Sequence, residues 1–219
     1  MRQNISLAEI SDGHLYKAND MVKADCGGCE GCSQCCRGMG SSIILDPYDV
    51  YRLTTGIGKS MQELLATSVE LNVVDGVILP NLKMQGTKEA CAYLDTEGRC
   101  SIHPYRPGIC RLFPLGRHYE NGGLFYFLQT GECAKENRSK VKVSKWIDTP
   151  ELKRNEQFKL QWHDLLSAMT DRVAGEDEGK QREENLLLLR LFYLLPYEGT
   201  TDFYSQFTER VEHWNEQIG

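Results

Sequence analysis

The 219-residue chain lacks a long apolar run, an excess of positive charge and the local signatures of hydrolytic or phosphoryl-transfer chemistry, and each shortage removes a class of function. Its most apolar stretch, Leu186 to Leu195, is interrupted by Arg190 and stopped by Pro196. That is about half the ~20 residues a membrane-spanning helix needs, so it reads as a buried helix. The amino terminus, MRQNISLAEISDGHLYKAND, follows Arg2 with no apolar core and no small-residue cleavage site. It does not read as a secretory leader, and the expected location is the cytoplasm. A formal charge of −6 argues against a protein that coats a phosphate backbone, so nucleic acid is not an expected partner. There is no Ser-His-Asp arrangement, no HExxH and no phosphate-binding loop. Gly38-Met-Gly40 has neither the preceding strand nor the further glycines that a nucleotide loop requires. Sequence repeats and low-complexity tracts are also missing.

What the chain does have is cysteine. A composition of 41% hydrophobic and 26% charged residues is that of an ordinary folded protein, long enough to bury a core without covalent staples. Nine cysteines in a reducing compartment are therefore not a disulfide framework, and thiolate ligation of metal is the expected use. Five of them form Cys26-Gly-Gly-Cys29-Glu-Gly-Cys32-Ser-Gln-Cys35-Cys36, with C-x-x-C spacing three times in succession and a vicinal pair at the end. Two residues between thiolates let a tight turn aim both sulfurs at one point, with backbone amides facing them. Four more follow at Cys91, Cys100, Cys110 and Cys133. All nine are candidate metal ligands. One tetrahedral zinc or one [4Fe–4S] cluster takes four, so either two centres exist or several thiols are spare. In an extended segment Cys35 and Cys36 would point to opposite faces, which favours two centres. His103 and His118 are alternative ligands, and Arg37, Arg99, Arg106 and Arg111 are candidate counter-charges for an anionic thiolate set.

The chain divides into an amino-terminal arm (1–25), a cysteine-bearing part (26–136) and a cysteine-free helical part (137–219). The expected fold class is α+β: a small cysteine-rich metal-binding domain of short strands, turns and helices, followed by an all-helical carboxy-terminal part. Ile43–Leu45 reads as a short strand. Asp46-Pro47 opens a helix that Gly56 and Gly58 end. Ser60 and Glu63 form a capping box for a second helix through about Val69. Asp75-Gly76 marks a hairpin over Val73–Leu82, and further hairpins are expected at Asp95–Gly98 and Asn121–Gly123. Thr149-Pro150 signals the start of a long helix carrying Phe158, Trp162, Leu165, Leu166, Met169 and Val173 on one face. An acidic loop over Gly175–Gly179 then precedes helices over about Arg182–Leu195 and Asp202–Gln217.

These motifs resemble the YkgJ-type cysteine-cluster family, described as zinc- or iron-chelating and including flagellin lysine N-methylase-like members. Its C-x-x-C-x-x-C-C corresponds to Cys29, Cys32, Cys35 and Cys36. Its downstream pattern resembles Gly98-Arg-Cys100-Ser-Ile-His-Pro-Tyr-Arg106-Pro107-Gly-Ile-Cys110-Arg111-Leu-Phe113-Pro114, with Cys91 and Cys133 flanking. The resemblance spans about Cys26 to Cys133 and implies eight shared ligand candidates, leaving Cys26 as an extra. It implies either an iron–sulfur centre or zinc. The run also resembles a ferredoxin ligand run, but without the fourth cysteine three residues on and before Pro. An iron–sulfur centre would serve redox chemistry or, as the methylase-like members imply, S-adenosylmethionine-dependent protein-lysine methylation. A structural zinc module that binds a protein partner without catalysis is the alternative, and metal storage or delivery is a third reading.

Overall fold

A computed structural model describes residues 6–27, 32–135 and 137–218. In chain order the elements are α1 (Leu7–Ile10), β1 (Met21–Asp25), α2 (Pro47–Ile57), α3 (Met61–Thr67), β2 (Val69–Val74), β3 (Val77–Leu82), β4 (Met84–Gln85), β5 (Ala90–Cys91), α4 (Gly108–Leu112), β6 (Leu115–Glu120), β7 (Gly123–Leu128), β8 (Ser139–Lys142), α5 (Val143–Ile147), α6 (Leu152–Val173), α7 (Glu178–Leu189) and α8 (Phe203–Ile218). Short 3-10 turns cover Gln34–Cys36 and His103–Tyr105, and α7 runs into a π-helical turn over Arg190–Leu194. The architecture is α+β, with short antiparallel strand pairs followed by an all-helical carboxy-terminal part.

Local chemistry explains the first two helices. The Asp46 carboxylate accepts from the Asp49 N–H at 3.0 Å while the Asp49 carboxylate accepts from the Asp46 N–H at 3.2 Å, a reciprocal cap with Pro47 in the first turn. Gly58, at φ +71°, ends α2 in the left-handed conformation. Gly56 lies inside the helix rather than after it, where a Cβ would overlap the Tyr105 ring. Ser60 and Glu63 cap α3 in the same reciprocal way. That helix ends at Thr67, two residues earlier than the sequence suggests, because Val69 already pairs with Leu82 in the β2–β3 hairpin. Asp75 and Gly76 both adopt positive φ at its turn, the geometry that matches the strands' twist. Asn121-Gly122 does the same between β6 and β7. Ile43–Leu45 forms only a bridge, at Ile44 to Asn81, and Asp95–Gly98 closes a turn with a single bridge between Leu94 and Cys100.

Three pieces of structure depart from the sequence expectation or go beyond it. Within the arm, β1 pairs with β8 through Met21↔Lys142 and Val22↔Val141, and Tyr16 bridges to Tyr126 of β7. The long helix α6 starts at Leu152, after Asp148 and Glu151 each turn the chain at positive φ, so Thr149-Pro150 lies in the preceding turn. Its buried stripe is as the spacing predicts: Phe158, Trp162, Met169 and Val173 are buried, with Leu165 and Leu166 half-buried. Asp177 caps α7 through the Gly179 and Lys180 N–H groups, which starts that helix four residues before Arg182.

Two apolar cores result. The larger joins Ile43, Leu53, Leu64 and Leu82 of the cysteine-bearing part to Phe158, Trp162, Phe192, Phe207 and Trp214 of the helices. Phe158 and Phe207 meet edge-to-face at 4.7 Å and 85°, an arrangement worth ~0.5–1.5 kcal/mol beyond burial alone. The π turn keeps Leu191, Phe192 and Tyr193 buried in succession, and the Tyr193 hydroxyl donates to the Leu45 carbonyl at 3.1 Å. The smaller core gathers Val22, Ala24, Leu112, Leu115, Tyr126, Leu128, Val143 and Ile147. Among the described residues, no helix is long and apolar enough to cross a membrane.

Candidate metal centre

Five cysteines line one cavity of about 240 Å³: Cys35, Cys36, Cys91, Cys100 and Cys110. It lies where the two cores meet, for its wall includes Ile43, Leu82 and Ile102 of the larger core and Leu115 of the smaller. Different elements deliver the thiols. Cys35 and Cys36 sit on the 3-10 turn, closed by the Cys36 N–H to the Ser33 carbonyl at 3.0 Å. Cys91 ends β5 opposite Met84. Cys100 follows the turn that Asp95 organises, where the Asp95 side chain accepts from the Glu97 and Arg99 N–H groups. Cys110 stands on α4.

The vicinal pair is not extended. A 3-10 turn places successive side chains about 120° apart rather than on opposite faces, so Cys35 and Cys36 both reach this cavity. The geometric premise for assigning them to separate centres therefore does not hold. Cys35 donates a hydrogen bond to Cys36, which lowers the Cys36 thiol and raises Cys35. Burial pushes Cys91 and Cys100 up, and pushes Cys110 far above the ordinary thiol range, with Cys91 and Asp49 adding like charge there. The apolar wall thus favours the neutral thiols of Cys91, Cys100 and Cys110, whose protons metal loading must displace.

Among the described residues no His, Cys, Asp and Glu side chains are gathered in threes as a ready-made set for one metal ion. The thiols instead surround a volume several times the ~30 Å³ share of a water molecule. Of the four arginines singled out in the sequence, Arg106 lines the cavity, and its positive charge acts on Cys35 and Cys100. Its Nε is buried and donates to nothing among the described residues. Arg111 is buried but committed elsewhere: it donates to the carbonyls of Pro104 at 2.5 Å, Asp148 at 2.7 Å and Arg106 at 3.3 Å. Exposed Arg37 reaches the Ser33 hydroxyl at 3.4 Å.

The other candidates lie elsewhere. Cys26, Cys32 and Cys133 are half-buried and outside the cavity lining, and Cys29 falls outside the described residues. His103 is exposed and His118 faces Phe125 across the β6–β7 pair, neither of them lining the cavity. Sequence reasoning missed Gln129 and Glu132, which bring polar groups to the cavity mouth from the segment after β7. Nothing in their spacing marks them. Tyr93 also lines it, with its hydroxyl bonded to Ser68 Oγ at 2.7 Å.

No curated protein and no solved structure matches the chain. A family model does: CxxCxxCC, described as "Putative zinc- or iron-chelating domain", matches residues 28–137. That stretch is half of the chain and contains all five cavity cysteines, and on this match the protein belongs to the CxxCxxCC family.

Proposed function

We propose that the cavity holds an iron–sulfur centre, its four thiolate ligands drawn from Cys35, Cys36, Cys91, Cys100 and Cys110. The observation that carries this reading is five thiols lining one partly open cavity of about 240 Å³, which suits a polynuclear centre better than a single ion. Two further features fit. Four thiolates leave either centre with a net negative charge, and Arg106 supplies a positive charge at the wall and a buried Nε–H that has no acceptor among the described residues. Ile43, Leu82, Ile102 and Leu115 keep the floor apolar, which limits solvent access.

When bound, such a centre supplies one-electron exchange. The chain's own contribution is to hold the thiols on separate, well-anchored elements, to exclude water and to offset charge. Anaerobic purification followed by iron, sulfide and zinc analysis and visible absorption tests the reading. Iron and sulfide in near-equal amounts with a broad charge-transfer band are expected. One zinc per chain with a colourless protein would replace it with a structural zinc module.

A further inference from the structure

We propose that Arg106 is the positioning residue of the metal centre: its guanidinium donates from the cavity wall to the sulfur face of the bound centre and holds the metal in place. This inference rests on the cavity being the metal site, but not on which metal fills it.

The argument is one of hydrogen-bond satisfaction. A buried guanidinium N–H without an acceptor is costly, which favours a working state that supplies one. The backbone around Arg106 is held rigidly. Its carbonyl accepts from Arg111 Nε at 3.3 Å, Pro107 follows, and Gly108 N–H is bound by Asp49 at 2.7 Å. These contacts anchor the backbone from which the half-buried Arg106 side chain reaches the cavity wall. Arg106 shares the cavity with five thiols, aliphatic side chains and the polar Gln129 and Glu132, none of which accepts from its Nε among the described residues, and its charge acts on Cys35 and Cys100. A thiolate or sulfide is the acceptor that the cavity gains only on metal loading, and it lies among the thiols on which the charge of Arg106 already acts. Arg111, by contrast, spends its donors on three carbonyls and serves the fold. Losing an outer partner of a metal site typically costs ~10–100-fold in metal affinity.

The test compares Arg106→Gln and Arg106→Lys with Arg37→Gln, an exposed charge-loss control. Metal release from the purified, metal-loaded proteins to a chelator is followed in time, and melting temperatures are measured loaded and metal-free. The expected result is release ~10–100-fold faster in Arg106→Gln, partial rescue in Arg106→Lys and no change in Arg37→Gln. The loaded melting temperature should fall while the metal-free one stays. If the wild type carries iron and sulfide, removing the cation should also lower the midpoint potential, a tenfold change in the one-electron equilibrium being about 59 mV. Equal release rates for Arg106→Gln and Arg37→Gln overturn the proposal. So does an equal loss of melting temperature in loaded and metal-free protein, which marks a purely structural arginine. Should Arg106→Gln not fold, Arg106→Lys decides by the same two readouts. Failure of the iron–sulfur reading would appear in the wild-type metal content, whereas failure of this proposal appears only in the ratio of variant to wild type.

Discussion

Asp49 of α2 accepts a hydrogen bond from the Gly108 backbone N–H at 2.7 Å, and that bond ties the first capped helix to the start of α4, which carries Cys110. Its other oxygen completes the cap with Asp46, whose own carboxylate pairs with buried Lys159 of α6. Gly108 passes this group with little room, since a Cβ there would stand 3.2 Å from Arg117 Nη2 and 3.4 Å from both Asp49 Oδ1 and Lys159 Nζ. One carboxylate thus connects α2, α4 and the neighbourhood of α6.

This linkage makes a pH prediction. Burial raises the Asp49 carboxyl from 3.8 to about 6, outweighing the Gly108 hydrogen bond and the charges of Arg117, Arg52 and Arg111. A group whose folded pKa is raised adds stability that is full below its unfolded value and lost as pH rises through the folded one. Between about pH 4 and 6 the wild type should therefore lose stability relative to Asp49→Asn, which keeps an acceptor for Gly108 but does not titrate. Urea midpoints of both proteins across pH 4–7 check this, and a constant difference between them would refute it.

The cavity predicts which cysteines matter for the centre. Cys91→Ser, Cys100→Ser and Cys110→Ser should each lose most of the bound metal, because each removes a thiol from a different anchoring element. Cys26→Ser and Cys133→Ser should retain the spectrum of the cavity centre, their side chains lying outside its lining. Metal content and visible absorption of the five variants, purified alike, separate the two groups. Loss of the spectrum in Cys133→Ser would mean that the segment after β7 closes on the cavity as a ligand.

Asn185 predicts a stability effect away from the metal. It is buried in α7, its carbonyl oxygen accepts from the Ile78 N–H at 2.6 Å, and its amide donates to the carbonyls of Gly76 at 3.1 Å and Gln181 at 2.9 Å. It therefore stitches the β2–β3 turn to the helical part. Asn185→Ala leaves a buried N–H and a carbonyl unpaired and should cost about 2–3 kcal/mol in urea unfolding. Asn185→Asp should be at least as costly, because its second oxygen would face two carbonyls.

The sequence alone determined the elements whose signals are local. Asp46-Pro47 and Ser60–Glu63 carry their own caps, Asp75-Gly76 and Asn121-Gly122 their own turn geometry, and α6 and α8 their apolar stripes, because each involves residues within a few positions of one another. The nine cysteines likewise announced metal chemistry by type and spacing. Only the tertiary structure decided the rest. The pairing of β1 with β8 and the start of α6 after two positive-φ residues depend on contacts or backbone states that no short pattern specifies. The same holds for the cluster. Spacing placed Cys29, Cys32, Cys35 and Cys36 in one run. Of the described cysteines, the fold sets Cys35 and Cys36 beside Cys91, Cys100 and Cys110, with Arg106 at the wall, because a 3-10 turn, a strand end and a short helix meet where two cores join. A thiol's neighbours in space are set by packing, and packing is not written in the interval between cysteines.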